Sequence, residues 1–176
     1  MSSARKPVIV RKLTRDWCAG YAAANPSGPE LELLDSSGKL LRVAWETVKW
    51  VCYVRELGAA AGEGSAGDTV NPERLLRRRF TSRPRMAGLW LHLTLSDGEE
   101  LEGVAANDRS LVDGLGLTLT PPDTRSNTQR VFVPRSSIRD LTILGVIGPG
   151  TSTRQKPVLQ PELFDPALTE QDGIDE

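Results

Sequence analysis

The sequence has very few of the residue types that carry catalysis and metal binding. It contains one histidine and two cysteines in 176 residues, which gives little support to a zinc site or to histidine-based nucleophilic catalysis. His92 alternates with leucines in its segment, so we expect it to face solvent. No glycine-rich phosphate loop is recognisable, because Gly114-Leu115-Gly116 leads into no predicted helix. We therefore expect no catalytic residues, no cofactor, no metal and no enzymatic activity.

Long apolar runs are also lacking. No stretch approaches the roughly 18 consecutive apolar residues that a transmembrane helix needs. The start, Met1 to Pro7, has basic residues but no long apolar run of the kind found in a signal peptide. These absences predict a cytoplasmic protein without membrane contact.

Glycine and proline are abundant, and an internal repeat accompanies them. The 16 glycines and 12 prolines favour many short strands joined by turns over a helical bundle. The segment around Gly20 recurs around Gly103, 83 residues on, and the apolar segment from Val48 recurs from Ile138, 90 residues on. The difference indicates a seven-residue loop insertion in the second copy. Two copies of one small β-module are predicted.

The repeat and the composition together predict four segments. These are a first β-barrel at 6–57, a flexible linker with a short basic helix at 58–87, a second β-barrel at 88–147 and a disordered acidic tail at 148–176. The helix is expected to begin near Asn71-Pro72 and to run towards Phe80. Residues 161–176 hold six acids and no base, which is typical of a disordered terminus. Because each module can bury only a modest core, we expect the two to pack together or to form homo-oligomers.

An arginine-rich segment is the clearest candidate for binding. Residues 74–85 contain six arginines and no acid. Guanidinium groups match phosphate oxygens in bidentate geometry, which favours a nucleic acid, a nucleotide or an anionic membrane face as ligand. The alternative is a solvated helix face or ion pairs between the modules.

The polar loop from Arg125 to Arg130, together with Arg135-Ser136-Ser137, is the second candidate. Its amides, hydroxyls and guanidinium groups suit base edges and phosphates, although they could instead cap the backbone of their own hairpin. Trp45, Trp50, Tyr53 and Trp90 could stack bases or fill the core. The candidate nucleic-acid-binding residues are Arg77, Arg78, Arg79, Arg83, Arg125, Asn127, Arg130 and Arg135.

The order of motifs in the second module resembles the Sm-like family, which includes the bacterial RNA chaperone Hfq. The matching residues are Asp97-Gly98, Leu101-Glu102-Gly103, Asn107-Asp108 and Val131-Phe132-Val133. The resemblance implies an all-β chain of two small Sm-like (SH3-like) β-barrels in tandem that binds single-stranded RNA. In Hfq a Lys-His pair before the last strand contacts RNA, and Arg135-Ser136 stands there in this sequence.

A second pattern is similar to PilZ domains, which bind cyclic diguanylate. Arg78-Arg79 and Arg83 match the arginine part of their signature, and Asp108-Arg109-Ser110 matches the second part. The following glycine is one residue late, since Asp113 precedes Gly114. This resemblance implies a cyclic dinucleotide bound by Arg79, Arg83, Asp108 and Ser110.

The sequence thus favours a non-catalytic module that binds RNA or another single-stranded nucleic acid in a regulatory role. One alternative is a PilZ-like cyclic diguanylate sensor. Another is a protein-interaction scaffold, in which acids of the partner or of the chain itself pair with the arginines.

Overall fold

The computed structural model describes residues 4–57, 78–123 and 126–148, which form β-strands joined by turns. The strands are β1 Arg5–Lys12, β2 Trp17–Ala23, β3 Glu30–Leu34, β4 Leu40–Ala44, β5 Val48–Val54, β6 Gly88–Leu95, β7 Glu100–Ala105, β8 Gly116–Thr120, β9 Thr128–Pro134 and β10 Ile138–Ile147. Short 3-10 turns lie at Trp45–Thr47, Arg109–Leu111 and Arg135–Ser137.

All of these strands belong to one antiparallel sheet in the order β10-β6-β7-β8-β9-β5-β1-β2-β3-β4. The all-β prediction is therefore confirmed. Two separate closed barrels are not seen, because β9 pairs with β5, with Phe132 opposite Val51, and joins the two halves. Among the described residues the sheet stops at β10 and β4 and does not close. Periodicity predicted the strands of each half but held no information on which edges would meet.

The leucine alternation of the second half forms strand β6 as predicted. Leu89, Leu91, Leu93 and Leu95 are buried, and the residues between them are half-buried. A period of two places these leucines on one face of the sheet. They pack in a core with residues of β7, β8 and β9.

The strand pairings of the first half recur in the second half in the same register. Pairs between β1 and β2 reappear 83 residues later between β6 and β7, and pairs between β1 and β5 reappear between β6 and β10. Examples are Val8↔Gly20 with Leu91↔Gly103, Val10↔Cys18 with Leu93↔Leu101, and Val10↔Val51 with Leu93↔Leu141. Both β1–β5 and β6–β10 also contain a register shift near the start of the later strand.

Strand β5 lies at the centre of the sheet, and every residue of it is buried. Its two faces contribute to two different cores: Trp50 and Cys52 pack with the second half, and Val51 and Tyr53 pack with the first. Phe132 of β9 packs in the core of the first half, where its ring contacts the Trp45 ring edge-on with 5.4 Å between the ring centroids. The halves therefore share apolar packing as well as hydrogen bonds.

The predicted basic helix falls mostly on residues 71–77, outside the described part of the chain, as does the linker at 58–70. Residues 78–87 are described and contain neither helix nor strand. The prediction that the helix extends to Phe80 is therefore wrong. Instead, the Arg78 carbonyl accepts a hydrogen bond from the backbone N–H of Glu102 in β7 at 2.7 Å. The predicted acidic tail, Gly148 apart, lies outside the described residues. In the described ranges no helix is long and apolar enough to cross a membrane.

Candidate functional site

The arginine-rich segment lies against acidic side chains of the same chain. Arg78 Nη2 is 3.2 Å from Glu99 Oε2, and Arg79 pairs with Glu100. Arg83 Nη2 donates to the Val146 carbonyl at 3.1 Å. Arg77 lies outside the described residues. These contacts correspond to the alternative of ion pairs within the chain.

Glu102 fastens this segment to the sheet. Its side chain is buried, and Oε2 accepts hydrogen bonds from the Phe80 backbone N–H at 3.1 Å and from Trp90 Nε1 at 3.2 Å. The Phe80 and Trp90 rings contact each other edge-on, with 6.1 Å between their centroids. His92 was expected to face solvent, but its side chain is only 22% exposed and lies 3.9 Å from Glu100. Trp90 is therefore half-buried, with its indole N–H bound to Glu102 and its ring in edge-on contact with Phe80.

Asn127 and Arg135, two of the candidate residues of the polar loop region, form hydrogen bonds with backbone groups elsewhere in the chain. Asn127 Oδ1 accepts from the Arg55 and Glu56 backbone N–H groups, each at 3.1 Å, and Nδ2 donates to the Glu56 carbonyl at 2.9 Å. These bonds tie the loop of the second half to the end of β5. Arg135 donates to three carbonyls in the segment 110–114, at 2.9 to 3.2 Å. Arg125 lies outside the described residues.

Arg130 stacks over Tyr53 across the β5–β9 junction. Its guanidinium carbon is 5.0 Å from the Tyr53 ring centroid. Tyr53 Oη donates to the Ala23 carbonyl at 2.9 Å, and burial raises the pKa of Tyr53 to about 12 even though Arg130 opposes the rise. Arg130 is therefore part of the junction between the halves.

The two parts of the PilZ-like pattern have separate partners. Asp108 Oδ1 accepts from the Ser110 backbone N–H at 2.9 Å and from its hydroxyl, and these bonds lower the pKa of Asp108. They cap the 3-10 turn that starts at Arg109. In the described ranges no hydrogen bond or ion pair connects Asp108 or Ser110 with Arg79 or Arg83.

Sequence analysis missed a buried lysine at the junction of the halves. Lys49 is 3% exposed, and its Nζ lies 2.5 Å from Asp97 Oδ2 and 2.8 Å from Glu99 Oε2. Burial raises the pKa of Asp97, but hydrogen bonds from Lys49 and the Glu99 backbone N–H outweigh it and lower that pKa overall. Nζ also lies 4.7 Å above the Trp50 ring. A lone charge inside the apolar segment Val48–Val54 was the available signal.

The two edge strands carry exposed apolar side chains that sequence analysis also missed. On β10, Ile143, Leu144 and Val146 are 49%, 43% and 60% exposed, and on β4, Leu40 is 42% exposed. The outer edges of both strands have no strand partner among the described residues. This exposure contrasts with the complete burial of β5, which pairs on both sides.

Two surface grooves accompany these features. One of about 520 Å³ runs along β3 and β4 and is lined by Trp45, Arg5, Arg42 and Glu32 among others. The other, of about 260 Å³, is lined by Arg79, Arg83 and Arg85 with Phe80 and Pro122. In the described part of the chain no group of three or more His, Cys, Asp and Glu side chains is placed to hold a metal ion.

Fold and surface together define an all-β chain with an open sheet whose halves repeat the same pairings. Residues 4–145, which span both halves, match a family described as a family of unknown function (DUF6982), and the chain belongs to that family. Comparison with curated proteins and with solved structures finds no match to the chain.

Proposed function

We propose that the chain is a non-catalytic protein-interaction module that associates through the edge strands of its open sheet. The observation that carries this proposal is the exposure of Ile143, Leu144 and Val146 along β10. An edge strand offers a row of backbone donors and acceptors to which another strand can add, and apolar side chains beside that row add affinity.

The form of β10 supports this role. Scattered apolar residues on a surface are ordinary, but here three lie within four consecutive positions of one ten-residue edge strand. Natural edge strands are usually kept short, or are protected by charges and proline, so that they do not pair with other chains. Beyond Asp140, β10 has no charged residue and no proline. We infer that this strand is built to be covered.

The repeated pairings support a finer description of the fold. We infer that the sheet consists of two copies of one five-stranded unit, β5-β1-β2-β3-β4 and β10-β6-β7-β8-β9. The strands of the two copies occur in the same order and pair in the same register. The relation to Sm-like small barrels remains a proposal that rests on this order and on the sequence motifs.

Nucleic-acid binding is the second candidate, and the groove lined by Arg79, Arg83 and Arg85 favours it. A phosphate there would compete with Glu100 for Arg79 and with the Val146 carbonyl for Arg83. This competition lowers the expected affinity, since a buried or paired guanidinium must first give up its partner. A cyclic dinucleotide is less well supported, because Asp108 and Ser110 bond to each other.

Capture of partners from lysate, with and without nuclease, tests the proposal. We expect the wild-type chain to retain protein partners after nuclease treatment. Changing Ile143 to lysine should weaken that capture at least about ten-fold, which corresponds to about 1.4 kcal/mol, because a charge would be buried in the pairing surface. The matched control is Val112→Lys, since Val112 is apolar and 77% exposed but lies outside both edge strands.

A different pattern would favour the second candidate. Capture that disappears with nuclease, persists in Ile143→Lys and falls in Arg83→Ala or Arg85→Ala would identify a nucleic acid as the ligand. That ligand should also bind more weakly as salt rises, because phosphate contacts release counterions.

A further inference from the structure

The two open edges of the sheet, β10 and β4, correspond in position to the two strands that pair with each other inside the molecule, β5 and β9. Strand β10 occupies in the second half the place of β5 in the first, and β4 occupies in the first half the place of β9 in the second. Inside the chain β5 and β9 pair with each other, whereas β10 and β4 keep an open side among the described residues. Resting on the proposed interaction role, we propose that the partner is a second copy of this chain, whose β4 pairs antiparallel with β10.

The internal junction fixes the register of the contact between copies. Tyr53 of β5 lies opposite Arg130 of β9. The counterpart of Tyr53 is Ile143 on β10, 90 residues later, and the counterpart of Arg130 is Leu40 on β4, 90 residues earlier. The register therefore brings Ile143 and Leu40, which are 49% and 42% exposed in the single chain, directly opposite each other. Opposite apolar pairs of this kind stabilise adjacent strands.

One of the two ion pairs that Lys49 makes across the internal junction has a charged counterpart as well. Lys49 of the first half lies 2.8 Å from Glu99 in the β6–β7 hairpin of the second half. The position matching Lys49 is Arg139, 90 residues later, and the position matching Glu99 is Asp16, 83 residues earlier in the β1–β2 hairpin. Both are exposed in the single chain and of opposite charge. The contact between copies would thus bring Arg139 to Asp16, as the internal contact brings Lys49 to Glu99.

Two internal contacts are not reproduced. Asp97, the nearer partner of Lys49 at 2.5 Å, has the uncharged Thr14 as its counterpart. The counterparts of Phe132 and Trp45, whose rings meet at 5.4 Å inside the chain, are Arg42 and Arg135. Arg42 lies near Glu32 at 3.9 Å, and Arg135 donates to carbonyls of its own chain. The junction between copies therefore lacks the aromatic contact, and it is weaker than the internal junction and dependent on concentration.

This contact joins two different surfaces, one on each copy. A repeated head-to-tail contact of that kind builds a closed ring or an open filament, whereas a contact between identical surfaces stops at a dimer. Each copy contributes one β10 edge and one β4 edge, so a variant with one edge blocked can still bind through the other.

Mixing of two blocked variants is the decisive experiment. Light scattering of the purified wild-type chain is expected to show masses above the 19.2 kDa of one chain as concentration rises. Ile143→Lys and Leu40→Lys should each remain monomeric. Their equimolar mixture should form a species of twice the chain mass, because one wild-type β10 and one wild-type β4 remain available. Val112→Lys should behave as the wild type.

Three results would overturn the inference. These are a wild-type chain that stays monomeric at about 100 µM, far above a micromolar dissociation constant, a single blocked variant that still dimerises, or a mixture that stays monomeric although circular dichroism shows both variants folded. If lysine unfolds either variant, Ile143→Thr and Leu40→Thr replace them, because threonine suits strands. Capture of a different protein through Ile143 by a monomeric chain would overturn this inference and leave the proposed function standing.

Discussion

Replacing Lys49 with alanine is expected to lower the free energy of unfolding by about 3 kcal/mol, the usual cost of removing one partner of a buried ion pair. Lys49 is 3% exposed and holds Asp97 and Glu99 at 2.5 and 2.8 Å. Without it, two partly buried carboxylates would face each other, and among the described residues the remaining ion-pair partner is Arg78, beside Glu99. Urea denaturation of the wild type and the variant, followed by tryptophan fluorescence, measures the difference.

Two variants separate charge from packing in this prediction. Lys49→Met keeps an apolar side chain over Trp50. If Lys49→Met loses as much free energy of unfolding as Lys49→Ala, the effect comes from the charge and not from packing. Arg139→Ala removes the exposed counterpart of Lys49 in the second half, and at concentrations where the chain is monomeric it should change stability by less than about 0.5 kcal/mol. A Lys49→Ala chain as stable as the wild type would contradict the assigned role of the ion pairs.

The Lys49 effect should also depend on pH. The pKa of Asp97 is lowered in the folded chain from an ordinary value of 3.8. The stabilisation from Asp97 is therefore present above pH 3.8 and is lost as the pH falls through the lowered pKa. The difference between the wild type and Lys49→Ala should shrink over that interval.

Replacing Gly20 with alanine is expected to destabilise the chain by about 1 to 3 kcal/mol, the usual cost of overpacking. A Cβ at this position would lie 2.4 Å from the Leu34 carbonyl oxygen and 3.0 Å from Leu33 Cγ. The carbonyl belongs to the backbone of β3, so β2 and β3 would have to move apart. At Gly103 the corresponding Cβ would lie 2.7 Å from Leu119 Cβ, so Gly103→Ala is expected to cost a similar amount.

Gly145→Ala is the control for the glycine substitutions. Its Cβ would meet a single neighbouring atom, Trp90 Cε3, at 3.9 Å, an ordinary contact. Thermal unfolding of the three variants should therefore show a clear loss at Gly20 and Gly103 and almost none at Gly145. Equal melting temperatures for all three would contradict the close strand approach described at Gly20 and Gly103.

The sequence was most informative about local structure. Alternation of leucine with polar residues predicted strand β6, and the similar segments around Gly20 and Gly103 led to the prediction of two copies of one module. Both signals reflect constraints within one strand or between adjacent strands, where spacing along the chain determines the face on which a side chain lies. The same signals held no information on the pairing of β5 with β9, because that contact joins residues about 80 positions apart.

The candidate site was harder to predict because charge alone does not show what a charge pairs with. Arg78 and Arg79 were predicted from the sequence to bind phosphate, and no motif linked them to Glu99 and Glu100. Their pairing depends on how residues 78–80 lie over β7, a tertiary contact that no motif encodes. The exposed side chains of β10 were hidden for a similar reason, since an apolar strand has the same sequence whether its outer edge is covered or open.

Amide hydrogen exchange of the purified chain at two concentrations tests the pairing of β10 with β4 between copies most directly. We expect that raising the concentration from about 1 µM to about 100 µM slows exchange on the order of ten-fold in Leu40–Ala44 and Ile138–Ile147, because their outward amides gain partners. Exchange in β7 and β8, which already pair on both sides, should not change. Equal rates in the edge strands at the two concentrations would contradict the account.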